Sequence, residues 1–137
     1  MSAPIKPELS RKNRYWIPKY RHYELKYFCL QYNEWKKLYS EISMLRTAKY
    51  NDSVRTKQII DPTLRIVEMR QLYSSRINLI EETAEKTDTD LSVYILKGIT
   101  EGLSYDSLRL RFNIPCSKDT YYDRYRRFFW ILDKRRE

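Results

Sequence analysis

Apolar positions recur along this chain at steps of three and four, the spacing of one helix face rather than the alternation of a strand. From Lys19 onward Leu25, Phe28, Cys29, Tyr32, Trp35, Tyr39, Ile42 and Leu45 keep to a single face. Asn33, just ahead of Glu34 and Trp35, can cap a new helix, so the run divides into two, about residues 19–32 and 33–45. Residues 46–60 are polar and aperiodic and predict a long connection, the most mobile segment of the chain. Asp61 and Pro62 then suit an N-cap and a first helical position. Ile66, Met69, Tyr73, Ile77, Ile80 and Ala84 follow as one stripe, which predicts a long helix to about Lys86. Such a stripe packs on the N-terminal helices or on a second copy; Leu72 and Leu79 add a second apolar line that suits a homodimer through residues 62–86.

The last third carries the sharpest punctuation. Thr87, Asp88, Thr89 and Asp90 supply caps for a helix from Leu91 to Thr100 that buries Leu91, Tyr94, Ile95 and Ile99. Gly102 closes it, because glycine enters the left-handed conformation without a Cβ penalty, and Ser104 caps the next short helix. Leu103, Leu108 and Phe112 pack that helix. Pro115 then disfavours helical geometry at Ile114, forcing a turn. Ser117 caps a final helix with Tyr121, Tyr125, Phe128 and Leu132 inward, and with Asp119, Asp123, Arg126, Arg127 and Trp130 outward. A short capped helix and a second capped helix joined through Phe-Asn-Ile-Pro form a helix-turn-helix pattern. The predicted fold is therefore an all-α helical bundle ending in a helix-turn-helix, with three parts: a flexible basic arm over residues 1–13, a basic helical region and polar connection over 14–60, and the long helix plus helix-turn-helix over 61–137.

Composition agrees with this picture and narrows the partner. Two Gly and five Pro in 137 residues leave little material for loops, and the length suits one compact domain. The net charge of +9 is unevenly placed: residues 1–60 hold 13 basic against 5 acidic side chains, residues 61–103 hold 5 against 8, and residues 104–137 hold 9 against 5. Two basic ends around an acidic middle suit a protein that lays both ends on a polyanion. In a helix-turn-helix, the N-terminal residues of the second helix enter the major groove of duplex DNA. The candidate DNA contacts are accordingly Ser117, Lys118, Thr120, Tyr122, Arg124, Arg126 and Arg127, with Arg14, Lys19 and Arg21 as secondary phosphate contacts. Asp119 and Asp123 oppose non-specific phosphate binding and would help only by accepting from a cytosine amine or orienting an arginine.

Other chemistries lack their residues. One His and two distant Cys, Cys29 and Cys116, do not supply a zinc ligand set, and that cysteine usage suits a reduced cytoplasm. No glycine-rich phosphate loop and no Ser/His/Asp arrangement is present, so no cofactor, metal or catalysis is expected. No stretch has the apolar length of a membrane span or a signal peptide, so no membrane partner is expected.

The segment from Leu96 through Lys-Gly-Ile-Thr-Glu-Gly-Leu-Ser-Tyr-Asp-Ser-Leu, with Ile114-Pro-Cys-Ser-Lys-Asp-Thr-Tyr-Tyr-Asp-Arg-Tyr-Arg-Arg-Phe-Phe-Trp-Ile-Leu, resembles the C-terminal part of phage-encoded transcriptional regulators of the RinA/ArpU type. These in turn resemble region 4 of sigma-70 factors. The long helix with Arg70, Tyr73, Ile77 and Ile80 is similar in position, so the resemblance spans about residues 61–136. Pro115 and Cys116 lengthen the turn relative to many sigma-like examples. The resemblance implies a sigma-region-4-like fold, control of a phage or prophage transcription programme in the cytoplasm of a bacterial host, duplex DNA bound by residues 117–127, and contact with RNA polymerase. Two other classes suit the same residues: a phage interaction module or inhibitor that engages a host protein through the acidic middle helix, and a small terminase-like packaging subunit, which would assemble as a ring.

Overall fold

The computed structural model describes residues 11–52 and 60–136, with the backbone alone described at 45–52 and 60–62. Among these the chain is all-α, with six helices and no strand: α1 (Lys19–Leu30), α2 (Tyr32–Asp52), α3 (Ile60–Thr87), α4 (Ser92–Glu101), α5 (Tyr105–Phe112) and α6 (Lys118–Arg135). Most of the predicted arm, residues 1–10, lies outside the described part. Asn13 closes a turn ahead of α1: its side-chain oxygen accepts from the Tyr15 N–H at 2.8 Å and its carbonyl from the Trp16 N–H at 3.0 Å.

Two helices do replace the single N-terminal run, but the break falls at Gln31, whose N–H turns back to the carbonyls of Phe28 and Cys29. Asn33 is thus inside the first turn of α2 and not its cap. The predicted connection is also shorter than its polarity suggests, since α2 continues through residues 46–52. Extending an existing helix costs little, and Arg46, Ala48 and Lys49 are good helix formers. The remainder of that connection, residues 53–59, lies outside the described residues.

The described residues form two compact units. One comprises the chain up to Gln31 and from Leu79 onward; the other comprises Tyr32–Asn78. In the first, α1 packs on α4 and α6, and α4, α5 and α6 pack on one another. Leu25, Ile80, Ile95, Leu108, Ile114, Tyr121, Phe128, Phe129 and Leu132 are among its enclosed apolar side chains. Phe129 widens the inward stripe of α6 beyond the predicted four positions, because that helix has α1 as well as α4 and α5 to cover. Thr83, Thr87 and Thr100 are buried too, their hydroxyls donating to carbonyls one turn back, Leu79, Thr83 and Leu96, at 2.6, 2.7 and 2.6 Å. At the rim, Arg21 on α1 binds Asp133 at 2.7 Å and also the Arg136 carbonyl, while Arg136 reaches Glu24 at 3.2 Å and lies over the Phe28 ring at 4.2 Å.

In the second unit Tyr32, Trp35 and Ile42 of α2 are buried, whereas Ile66, Met69, Tyr73 and Ile77 of α3 are only half-buried. Cations cover the aromatic rings there: Arg76 over Trp35 at 5.1 Å, and Arg70 over Tyr39 at 5.0 Å with its Nε donating to Ser43 at 3.1 Å.

Candidate nucleic-acid interface

The ends of α4, α5 and α6 are set by local chemistry. Gly102 takes φ 68°, and its N–H and that of Leu103 both return to the Gly98 carbonyl. Leu91, not one of the polar residues before it, occupies the α4 N-cap and makes no side-chain bond there. Asp88 serves the preceding turn instead, accepting from the N–H groups of Asp90 and Leu91 at 3.0 and 3.1 Å. Ser104 and Ser117 cap α5 and α6, accepting from the backbone N–H groups of Ser107 and Thr120 at 3.2 Å each.

Between α5 and α6 the chain turns at Asn113, which adopts the left-handed conformation at φ 53°. Asparagine tolerates that region better than any residue with a bulkier or branched side chain. Ile114 is then fully buried and Pro115 exposed. The two helices are tied across the turn, where the Tyr122 hydroxyl accepts from the Tyr105 N–H at the start of α5, at 3.3 Å, and the Tyr105 hydroxyl donates to the Cys116 carbonyl. Arg109 closes the other side by donating to the Ile114 carbonyl at 3.4 Å.

Against this frame the candidate contacts separate. Ser117 is exposed at the tip of α6, with Lys118 and Thr120 partly exposed in its first turn. Tyr122 holds α5 in place as just described. Arg124 turns back to the α3–α4 link, its Nε on Asp88 at 2.8 Å and its Nη1 on Asp123 at 2.5 Å. Arg126 and Arg127, outward on a helical wheel, are half-buried, and the Nε of each is enclosed without a hydrogen-bond partner. Trp130, also outward on the wheel, is half-buried edge-on against Tyr15 with the Lys134 ammonium 3.1 Å from its ring centre. Of the secondary set, Arg14 and Lys19 are exposed, whereas Arg21 is bound to Asp133 and Glu24.

Electrostatics follow these pairings. Burial alone would raise the Asp88 pKa, but the hydrogen bonds from Arg124, Leu91 and Asp90 together outweigh it and hold the carboxyl below its ordinary value. The hydrogen bond to Asp88, with a further one to Asp123, raises that of Arg124. Burial pushes the thiols of both Cys29 and Cys116 up, so neither is poised as a thiolate.

The sequence-derived set left out two exposed cations. Arg109 and Arg111 are exposed on α5, either side of an exposed Leu110. Phe112 next to them has Arg111 and Lys97 near its ring at 5.1 and 4.8 Å. The alternation Arg-Leu-Arg was the available signal, because a helix this short buries little beyond Leu108. On α5 Arg109 and Arg111 are exposed, and at the start of α6 Ser117 is exposed with Lys118 and Thr120 partly so.

Comparison of the chain with protein-family models, with curated proteins and with solved structures returns no match. No helix of the described residues is long and apolar enough to cross a membrane.

Proposed function

We propose that this chain is a sequence-specific double-stranded-DNA-binding transcriptional regulator of phage or prophage origin, resembling the RinA/ArpU type, which acts in the bacterial cytoplasm. Its α5–turn–α6 segment acts as a helix-turn-helix, with the start of α6 entering the major groove. The observation that carries this reading is the Ser117-capped start of α6, tied to α5 by Tyr122 and Tyr105, with exposed Arg109 and Arg111 on α5. A helix N-terminus of this kind offers backbone donors and a partial positive charge to phosphate. Lys118 and Thr120 reach base edges or backbone, Arg109 and Arg111 contact phosphates from α5, and Arg126 and Arg127 follow farther along α6. Arg124 and Tyr122 support the motif from within. Contact with RNA polymerase belongs to the same reading.

A homodimer is part of the proposal because Ile66, Met69, Tyr73 and Ile77 remain half-buried and Leu72 is exposed, so the stripe has apolar area left for a second copy. The same surface also suits the alternative of an interaction module that binds a host protein.

Selection of duplexes from a random pool by the full chain is the test. A dimeric reader enriches a palindromic site. Replacement of Lys118 and Arg126 together by alanine is expected to weaken that site about tenfold or more and to flatten the salt dependence by about two charges. Failure to retain any duplex at low salt would sink the proposal. Retention of a host protein in place of duplex would favour the interaction module.

A further inference from the structure

The helix α1 has two unlike faces. One carries His22, Leu25, Phe28 and Cys29 into the core. The opposite face carries Tyr20, Tyr23 and Tyr27, at steps of three and four, with Lys19 and Lys26 along its edge. Tyr20 is 78% exposed and Tyr27 62% exposed. Tyr20 and Tyr23 meet edge-to-face at 6.2 Å, and the Lys19 ammonium stands 5.8 and 5.9 Å from their ring centres. Glu24, which borders this face, is already paired with Arg21 and Arg136. What the face presents is therefore aromatic and cationic.

A single exposed tyrosine needs no explanation, but two strongly exposed rings and a half-buried third on one helix face, with exposed Lys19 and half-buried Lys26, form a surface of defined chemistry. Cations beside exposed rings suit a polyanion whose own flat groups can stack, which is a nucleic acid. Helix geometry distinguishes a duplex from a single strand. Successive tyrosines rise about 4.5 and 6 Å along the axis, wider than the roughly 3.4 Å step of a strand in duplex DNA. A duplex also hides its base faces, whereas an unpaired strand can open its spacing and offer them.

We propose that the outer face of α1 is a docking surface for unpaired nucleic acid, with Tyr20, Tyr23 and Tyr27 stacking on bases while Lys19 and Lys26 neutralise phosphates. This face is separate from the duplex-reading surface proposed for α5 and α6.

Fluorescence anisotropy of a labelled oligothymidylate titrated with the full chain tests this. Saturable binding that weakens with salt is expected, and Tyr20→Ala with Tyr27→Ala reduces affinity by about tenfold or more, in the range of lost base–aromatic stacking. Both side chains are exposed, so the melting temperature of that variant stays unchanged. Tyr20→Phe with Tyr27→Phe keeps the binding, because stacking needs the ring and not the hydroxyl. Lys118→Ala with Arg126→Ala also keeps it while weakening duplex binding, so either reading can fail alone. Absence of oligothymidylate binding, an undiminished affinity in the alanine variant, or a loss in the phenylalanine variant equal to that in the alanine variant would overturn the assignment.

Discussion

Gly98 of α4 lies against the Tyr121 ring of α6. Tyr121 is fully buried, its hydroxyl has no hydrogen-bond partner, and a Cβ added at Gly98 would collide with that hydroxyl and press on Leu108 at 3.0 Å. Two effects oppose each other in Gly98→Ala. Helix propensity favours alanine by about 1 kcal/mol, while overpacking an enclosed site costs roughly 1–3 kcal/mol. The obstructing atom belongs to a buried ring that cannot swing away, so overpacking wins, and a net loss of up to about 2 kcal/mol is expected in denaturant unfolding. Tyr121→Phe removes an unsatisfied buried hydroxyl and should be close to neutral. It also empties the space that the new methyl group needs. The double variant should therefore recover most of the Gly98→Ala loss, a coupling that unfolding of all four proteins reads directly. Simple additivity would show that the hydroxyl is not the obstruction.

Elements are fixed here chiefly by their ends. Asn113 holds the left-handed turn that sets the angle between α5 and α6. Asn113→Gly should leave stability within about 0.5 kcal/mol, whereas Asn113→Val, β-branched at positive φ, should cost about 1–2 kcal/mol. Thermal melting that treats the two alike would place the constraint elsewhere. The caps at Ser104 and Ser117 and the Gly102 stop were legible in the sequence because each is a local bargain between one side chain and the nearest backbone. The turn itself was attributed to Pro115, but the left-handed residue is Asn113, and the buried Ile114 follows it. The length of α2 was hidden for a related reason: a helix whose periodicity fades can still propagate on residue propensity alone. The candidate contacts were the least legible part. A helical wheel shows direction but no neighbours: it placed Arg126, Arg127 and Trp130 outward, whereas all three are half-buried, Trp130 against the Tyr15 ring.

At the scale of the molecule, stability in acid is set by how distant segments are fastened. The apolar stripes announced six helices, but no local pattern pairs α1 with α6 or the α3–α4 link with Arg124, residues 36 positions from their partner Asp88. The Asp88 carboxylate satisfies two backbone donors ahead of α4 and anchors α6 through Arg124, and its pKa is held below the ordinary carboxylate value. A folded-state pKa lower than the unfolded one means that the unfolded chain binds the proton more readily. The stabilisation from Asp88 is therefore complete above the unfolded value, about 3.9 for aspartate, and is lost as pH falls through the lower folded value. Asp88→Ala forfeits it at every pH. The melting temperature of Asp88→Ala should lie below that of the unaltered chain at neutral pH, and the gap should narrow as pH is lowered past the ordinary carboxylate range, since protonation removes from the parent what the substitution has already removed. A scan of melting temperature against pH for the two proteins checks this. A gap that stays constant down to the acid limit would mean that Asp88 contributes through packing and not through its charge.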